Sequence, residues 1–325
     1  MNCKVSVVIE AYNEEQNDLG EHPEVIESLL RQDFPLDKVE LVLVGGQAQL
    51  AEWKKAPSWN RFGNVRIVAM EKSHTHYWEQ KNFGAQAAEG EIVAYVDSDV
   101  IAEPTWLSAI VRSIDNGADV SVGPSLYRAS GHDSHSALML ALASISWGFV
   151  LSGRSKPGLP IAASLLAHNF GIRREVALQN PFLAEQASFY SSILFFNLTQ
   201  KGLKVAYAPE QRAAHGIEFW WWVRRRHFRT GWETYDGRLT HPAWPRIRLL
   251  EKVKWIEPII LRGGMILRDS RHWFRFRRVT GVSATRAWLM LPLVVGASIV
   301  ARTGEAIGMY SRLLSPNTMP KQARF

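Results

Sequence analysis

Cysteine is almost missing from these 325 residues, with Cys3 the only one. A single thiol excludes an internal disulfide framework and fits a reducing compartment. The N-terminus runs straight into the apolar segment Val5–Ile9, with no charged leader, long apolar stretch or small-residue cleavage site in view. No signal peptide is expected, and a cytoplasmic location is. No apolar run reaches the roughly 20 residues that span a bilayer. Ala137–Leu151 and Ala287–Ala301 fall short, the second contains Pro292, and Trp255–Leu267 is broken by Arg262. Interfacial or buried helices account for such runs better than ordinary core helices or true insertion. Internal repeats and low-complexity segments are absent, and disorder is expected only in the tail carrying Pro316, Pro320, Lys321 and Arg324.

Hydrophobic residues make up 46% of the chain and charged residues 21%, an ordinary balance for a folded protein that can bury a large core. The net charge of +7 is unevenly placed. From Arg224 onward arginine dominates, through Arg225, Arg226 and Arg229 to Arg268, Arg271, Arg275 and Arg278, with Trp220–Trp222 and Trp273 among them. Basic residues interleaved with large aromatics suit nucleic acid or a membrane interface, and composition does not choose between them.

The first half alternates two periodicities. Val5–Ile9, Val39–Val44, Val65–Met70 and Ile92–Val96 are short, β-branched, apolar runs that predict buried strands. Between them Pro23–Gln32 and Trp78–Ala88 carry helical spacing, and Thr105 is placed to cap a helix through Ile114. Another strand begins at Asp119–Val122, and Lys204–Ala208 is a later one. This alternation predicts an α/β domain with a mainly parallel sheet covered on both faces. Ligands of such sheets bind at the carboxyl ends of the strands, which gathers the residues after Ile9, Val44 and Val96 around one cleft.

Asp97-Ser98-Asp99 follows the fourth of these strands directly. Two carboxylates one residue apart at a strand end can converge on a hard divalent ion, Mn²⁺ or Mg²⁺, that bridges to substrate phosphates. Such an ion stabilises a diphosphate leaving group as negative charge builds on it. Taken without its setting, an Asp-x-Asp is more often a turn.

The run Val5-Ser6-Val7-Val8-Ile9-Glu10-Ala11-Tyr12-Asn13-Glu14-Glu15 resembles the opening strand and nucleotide-binding loop of glycosyltransferase family 2. Lys81–Ala85 and Ala88–Asp99 are similar to that family's approach to its metal-binding Asp-x-Asp, and Ala167–Arg174 to a segment on its acceptor side. The resemblance covers residues 4–215 with the motifs in the family's order. It implies a GT-A fold, Rossmann-like, over residues 1–215, and leaves 216–325 as a basic, aromatic, helical extension associated with a membrane. It further implies a nucleotide-sugar donor, with Ala11, Tyr12 and Glu14 against base and ribose and Lys81 near the diphosphate. Asp97 and Asp99 would hold the ribose edge and the metal, His215 a further metal or diphosphate contact, and Asn169 the acceptor side. Each has a blander reading: a solvated helix charge for Lys81, a helix-start acid for Glu14 and a structural histidine for His215.

Two departures from the family stand out. The second strand ends Val44-Gly45-Gly46-Gln47 where acidic residues are usual, so base recognition falls to Gln47, backbone groups or Glu14. Tyr190 and Ser191 occupy the two positions where the family places a Glu-Asp pair that supplies the general base. Glu185 is the nearest acid upstream and takes that role from a shifted loop, or activity is weak or lost. Among the arginines after Phe219, Arg226 is assigned to phosphate, since a planar fork donates two parallel hydrogen bonds. The expected function is sugar transfer to a glycan or lipid-linked acceptor, as in polysaccharide biosynthesis, by a peripheral protein at the inner face of a membrane. A degenerate relative that binds nucleotide sugar or a partner without turnover is the alternative. Nucleic-acid binding would leave Asp97-Ser98-Asp99 unexplained and is not expected.

Overall fold

A computed structural model describes residues 3–10, 24–47, 50–51, 59–70, 77–129, 134–148, 150, 155–156, 159–160, 164–183, 190–217, 219, 222–240, 253 and 255–315. In chain order the elements that matter here begin with β1 (Val5–Glu10), α1 (Glu24–Leu30), β2 (Val39–Gly46), β3 (Asn64–Met70), α2 (Tyr77–Ala87) and β4 (Ile92–Asp97). Then come β5 (Val100–Ala102), α3 (Trp106–Asp115), β6 (Val120–Val122), α4 (Ala137–Trp147), β7 (Asn169–Arg173), α5 (Arg174–Gln179) and α6 (Tyr190–Gln200). The chain continues through β8 (Val205–Tyr207), β9 (Ala213–Gly216), α7 (His227–Thr240), α8 (Glu257–Val279) and α9 (Ala284–Leu314).

Two compact units emerge. The first comprises Met1–Ser125, Gly153–Ala184 and Tyr190–His215; the second comprises Leu126–Ser152, Glu185–Phe189 and Gly216–Phe325. The first is built on a seven-stranded sheet in the order β8-β6-β7-β4-β1-β2-β3. Pairs β1–β2, β2–β3, β1–β4 and β6–β8 are parallel, while β7 runs antiparallel between β4 and β6. Every residue of β1 and β4 is buried, as expected of strands covered on both faces. Their parallel register, Val5 opposite Ile92 through Glu10 opposite Asp97, brings the carboxyl ends of both strands to one edge.

That edge rests on a close approach of helix to strand. A Cβ on Gly84 of α2 would lie 2.3 Å from Val8 Cγ1, so only glycine lets α2 lie against β1. Asn82, two positions earlier, donates to Phe182 O at 2.8 Å and accepts from Phe182 N at 2.9 Å, fixing the same helix. At the opposite end of the sheet Glu40 is fully buried. It accepts hydrogen bonds from Ser6 Oγ (2.5 Å), Asn64 Nδ2 (3.0 Å), Arg66 Nε (3.0 Å) and the Glu89 amide (2.8 Å). Burial pushes the Glu40 carboxyl up, but these donors outweigh it and hold the group below the usual range. Thr105 stands at the N-cap of α3, yet its hydroxyl donates to Glu210 O at 2.8 Å instead of capping the helix.

The second unit is helical, with α4, α7, α8 and α9 packed together. Its interior holds charge. Asp269, Arg302, Glu305, Arg262 and His227 are all buried. Arg302 grips Asp269 with Nε and Nη2 at 2.8 and 3.0 Å and reaches Glu305 Oε1 with Nη1 at 2.6 Å. Arg262 Nη1 lies 3.1 Å from Glu305 Oε2, and His227 Nδ1 is 3.1 Å from Glu305 Oε1. Burial raises the Glu305 carboxyl, but Arg302, Arg262 and His227 together hold it far below the usual range. His227 is lowered, chiefly by burial, and His272 is lowered to about 4 by burial and then Arg268. Helices α7 and α9 meet backbone to backbone: a Cβ on Gly231 would lie 1.9 Å from Glu305 O, and one on Gly308 2.0 Å from Phe228 O.

The outside of this unit is apolar. Trp288, Leu289, Leu293, Ile299, Val300 and Ile307 of α9 are exposed, as are Ile256, Ile259, Ile260 and Leu267 at the start of α8. The exposed face of α8 then continues through Arg268, Arg271, Arg275 and Arg278. The expectation that no apolar segment is long enough to span a bilayer needs correcting. Ala284–Leu314 is one 31-residue helix with Pro292 inside it, long and apolar enough to cross a membrane by length and composition. Within it Arg302 and Glu305 are buried and paired with each other.

Candidate functional site

The carboxyl ends of β1 and β4 place Glu10 and Asp97 side by side, both buried. Because β7 is antiparallel, its first residue Asn169 pairs with Val96, which returns His168 to the same edge. The third contribution comes from the β5–β9 pair, which sets His215 opposite Val100, one residue past Asp99. Asp97, His168 and His215 thus offer one ligand atom each, all within 4.8 Å of one another. His215 Nε2 is also 3.6 Å from Asp99 Oδ1, and the two imidazoles meet edge to face with centroids 4.9 Å apart.

Two supports hold this cluster. Lys81 Nζ, fully buried on α2, donates to Asp97 Oδ1 at 2.5 Å, and sits 5.9 Å from the Tyr95 ring centroid. Tyr95 stacks on Phe170 with centroids 4.5 Å apart, and burial raises its phenol well above the usual value. The second support is Asn169. Its Oδ1 accepts from Trp106 Nε1 (2.8 Å) and Gln211 Nε2 (3.1 Å); its Nδ2 donates to Pro124 O (3.0 Å) and shares Ser125 Oγ and Gln211 O, both at 3.2 Å. Ser125 Oγ in turn lies 2.9 Å from His168 Nε2.

A carboxylate and two imidazoles converging on one point form a donor set that fits a divalent transition ion. Two ligands about 2.1 Å from one ion stand at most about 4.2 Å apart, so small rotamer shifts complete the fit.

Asp97, Asp99 and His215 therefore stand close together, with Lys81 bonded to Asp97. Asn169 is buried in the frame behind the cluster, and the site-facing residue of that segment is His168. Gln47 stands exposed just past β2. Arg226 lies in the helical unit, its guanidinium 5.6 Å from the Tyr127 ring and 5.5 Å from Trp147. Ala11, Tyr12, Glu14 and Glu185 fall outside the described residues. Sequence reasoning passed over His168 and Glu10, although both stand inside the quoted motifs. Neighbouring residues at a strand start point to opposite sides, and that alternation could have separated His168 from Asn169.

The model of glycosyl transferase family 2 matches residues 6–179, more than half of the 325-residue chain. The chain belongs to glycosyl transferase family 2. It is 30% identical over 125 residues to glucosyl-dolichyl phosphate glucuronosyltransferase of Haloferax volcanii, an alignment covering 37% of each chain. It is 26% identical over 182 residues to dolichol-phosphate mannosyltransferase of Pyrococcus furiosus, covering 53% of this chain and 47% of that one. The chain thus matches less than half the length of either relative. Among solved structures, the mannosyltransferase PcManGT of Pyrobaculum calidifontis, in complex with GDP-Man and Mn²⁺, superimposes with a TM-score of 0.55. That pair shares 15% identity, over 98% of this chain and 89% of the other. S. aureus TarS 1–349 with UDP-GlcNAc gives 0.52 at 15% identity, over 96% and 92%. At such identity these two likenesses establish the GT-A fold, which agrees with the mainly parallel α/β sheet.

Proposed function

We propose that the chain transfers a hexose from a nucleoside-diphosphate donor to a lipid-linked or other glycan acceptor, with inversion and dependence on Mn²⁺ or Mg²⁺. The observation that carries this reading is the convergence of Asp97, His168 and His215 at the carboxyl edge of the sheet. Asp97, Asp99 and His215 would hold the ion, which when bound supplies positive charge for the departing diphosphate. Lys81 holds the Asp97 carboxylate in place through its hydrogen bond to Oδ1. Ala11, Tyr12, Glu14 and Gln47 are assigned to the nucleotide. The acceptor hydroxyl attacks the anomeric carbon as the bond from that carbon to the phosphate oxygen breaks. Glu185, shortly before α6, takes the hydroxyl proton. Relatives named for glucosyl-dolichyl phosphate and dolichol phosphate support a lipid-linked acceptor; a glycolipid's sugar hydroxyl attacks as above, whereas the ionised oxygen of a bare polyprenyl phosphate would attack without a base.

The helical unit supports placement at a membrane. Apolar side chains of α8 and α9 stand exposed, and Arg271, Arg275 and Arg278 continue the apolar stripe of α8. Arg226 and these arginines are assigned to phosphates, and the inner face of the membrane is the proposed side.

Asp99→Asn is expected to abolish Mn²⁺-dependent donor binding, measured by calorimetry, while the fold survives. Unchanged affinity and metal dependence would sink the assignment. Glu185→Gln should lower turnover by on the order of 10²–10⁴-fold with little change in donor affinity. A non-catalytic donor-binding protein is the second reading, favoured because the first turn of α6 contains no acidic residue. Donor hydrolysis by the wild type in Mn²⁺ separates the two.

A further inference from the structure

His168 stands outside the set Asp97, Asp99 and His215 proposed to hold the ion, yet it is buried and supplies one of the three convergent ligand atoms. Its position is built. Ser125 Oγ lies 2.9 Å from Nε2, and Ser125 also takes 3.2 Å contact from the Asn169 amide, itself locked by Trp106 and Gln211. A histidine held at one ring nitrogen presents the other in a set direction, the usual outer support of a metal ligand. We propose that His168 is a direct ligand of the divalent cation and that, with His215, it makes the site select a nitrogen-accepting ion such as Mn²⁺ over Mg²⁺. This rests on the reading of the cluster as a metal site.

Two physical arguments carry the selectivity. Mg²⁺ keeps its waters, demands near-ideal octahedral oxygen coordination and gains little from imidazole. Transition ions bind imidazole progressively better along the first row, and Mn²⁺, their weakest member, still tolerates a mixed set. The charge of the site points the same way. Asp97 is already engaged by the buried ammonium of Lys81, so less net negative charge remains to draw in a hard ion. Two neutral imidazoles then provide ligation that does not depend on charge.

The test needs no turnover. Mn²⁺ is titrated into the full chain without donor, free ion is followed by electron paramagnetic resonance, and Mg²⁺ is added as competitor. Pulsed resonance of the bound ion counts coupled imidazole nitrogens. Wild type is expected to show two imidazoles and a clear preference for Mn²⁺. His168→Ala should bind Mn²⁺ at least about 10-fold more weakly, show one imidazole and lose much of its discrimination against Mg²⁺. His168→Asp should keep a ligand and shift preference toward Mg²⁺. If His168→Ala does not fold by circular dichroism, His168→Gln replaces it. Wild-type affinity and two coupled nitrogens in a folded His168 variant would overturn the role of His168 alone. A wild type that binds no Mn²⁺, with or without nucleoside diphosphate, would overturn the metal site itself.

Discussion

The two units solve the placement of charge in opposite ways. In the sheet unit, the interior between strands and helices is aliphatic and the ionisable groups gather at the two ends of the strands: Glu40 and Arg66 at one, Glu10, Asp97 and Lys81 at the other. In the helical unit ions are buried among apolar side chains, with Asp269, Arg302 and Glu305 inside, while further aliphatic residues of α8 and α9 face outward. A sheet leaves polar edges as a consequence of its geometry, and the fold can use one of them for chemistry. A helical bundle has no such edge. Its buried charges need partners on neighbouring helices, and the arrangement pins one packing rather than forming a site.

The sharpest way to break that contrast is Arg302→Ala. Losing Arg302 removes the charge partner of Asp269, which keeps only Ser298, and leaves Glu305 to Arg262 and His227; it should cost about 3–5 kcal/mol, read from denaturant unfolding. A cost below about 1 kcal/mol would mean that the buried ions are not holding the helices. In the sheet unit, Glu40→Gln should cost about 1–3 kcal/mol, because the amide cannot satisfy all four donors. Acidity separates the units further. His272 is lowered from 6.5 to about 4, so protonation favours the unfolded chain and stability should fall as pH drops through that window. The loss, on the order of 1–3 kcal/mol, falls on the helical unit. Glu40, whose pKa is depressed below 4.5, keeps contributing until the pH falls beneath that value. Calorimetric scans between these pH values should therefore show the helical transition moving first. The smallest effect belongs to the surface: Arg271→Gln, Arg275→Gln and Arg278→Gln should each weaken binding to anionic vesicles by about 1 kcal/mol, less at high salt. Unchanged co-sedimentation of the triple variant would detach the arginine stripe from the membrane.

Local chemistry made much of the sheet unit legible. Strands expected at Val5–Ile9, Val39–Val44 and Ile92–Val96 are found with only one or two residues added at the carboxyl end, because burial on both faces demands unbroken apolar runs. The Asp97-Ser98-Asp99 motif was visible for the same reason: Asp97 breaks such a run. What stayed hidden depends on partners far along the chain. The antiparallel insertion of β7, which delivers His168, is a long-range pairing that no local pattern encodes. The length of α9 was hidden by Pro292 and by Arg302 and Glu305, whose polarity is cancelled by Asp269 and Arg262 on another helix. Thr105 had the chemistry of a cap, but a carbonyl from a distant turn claimed its hydroxyl.

His168 and Asn169 are adjacent in sequence and opposed in consequence. Asn169, bonded to Trp106, Pro124, Ser125 and Gln211, is a keystone of the domain. Its replacement would remove the protein from the cell before any question of chemistry arose. His168, one step along the chain, faces the cluster, and its loss is expected to leave a folded protein with a weakened site. A mutational survey scored only by activity would colour both positions alike, whereas a parallel measurement of cellular abundance would split them. Such a split between neighbours, repeated along the rim of the sheet, would trace the boundary between what the domain needs to exist and what it needs to act.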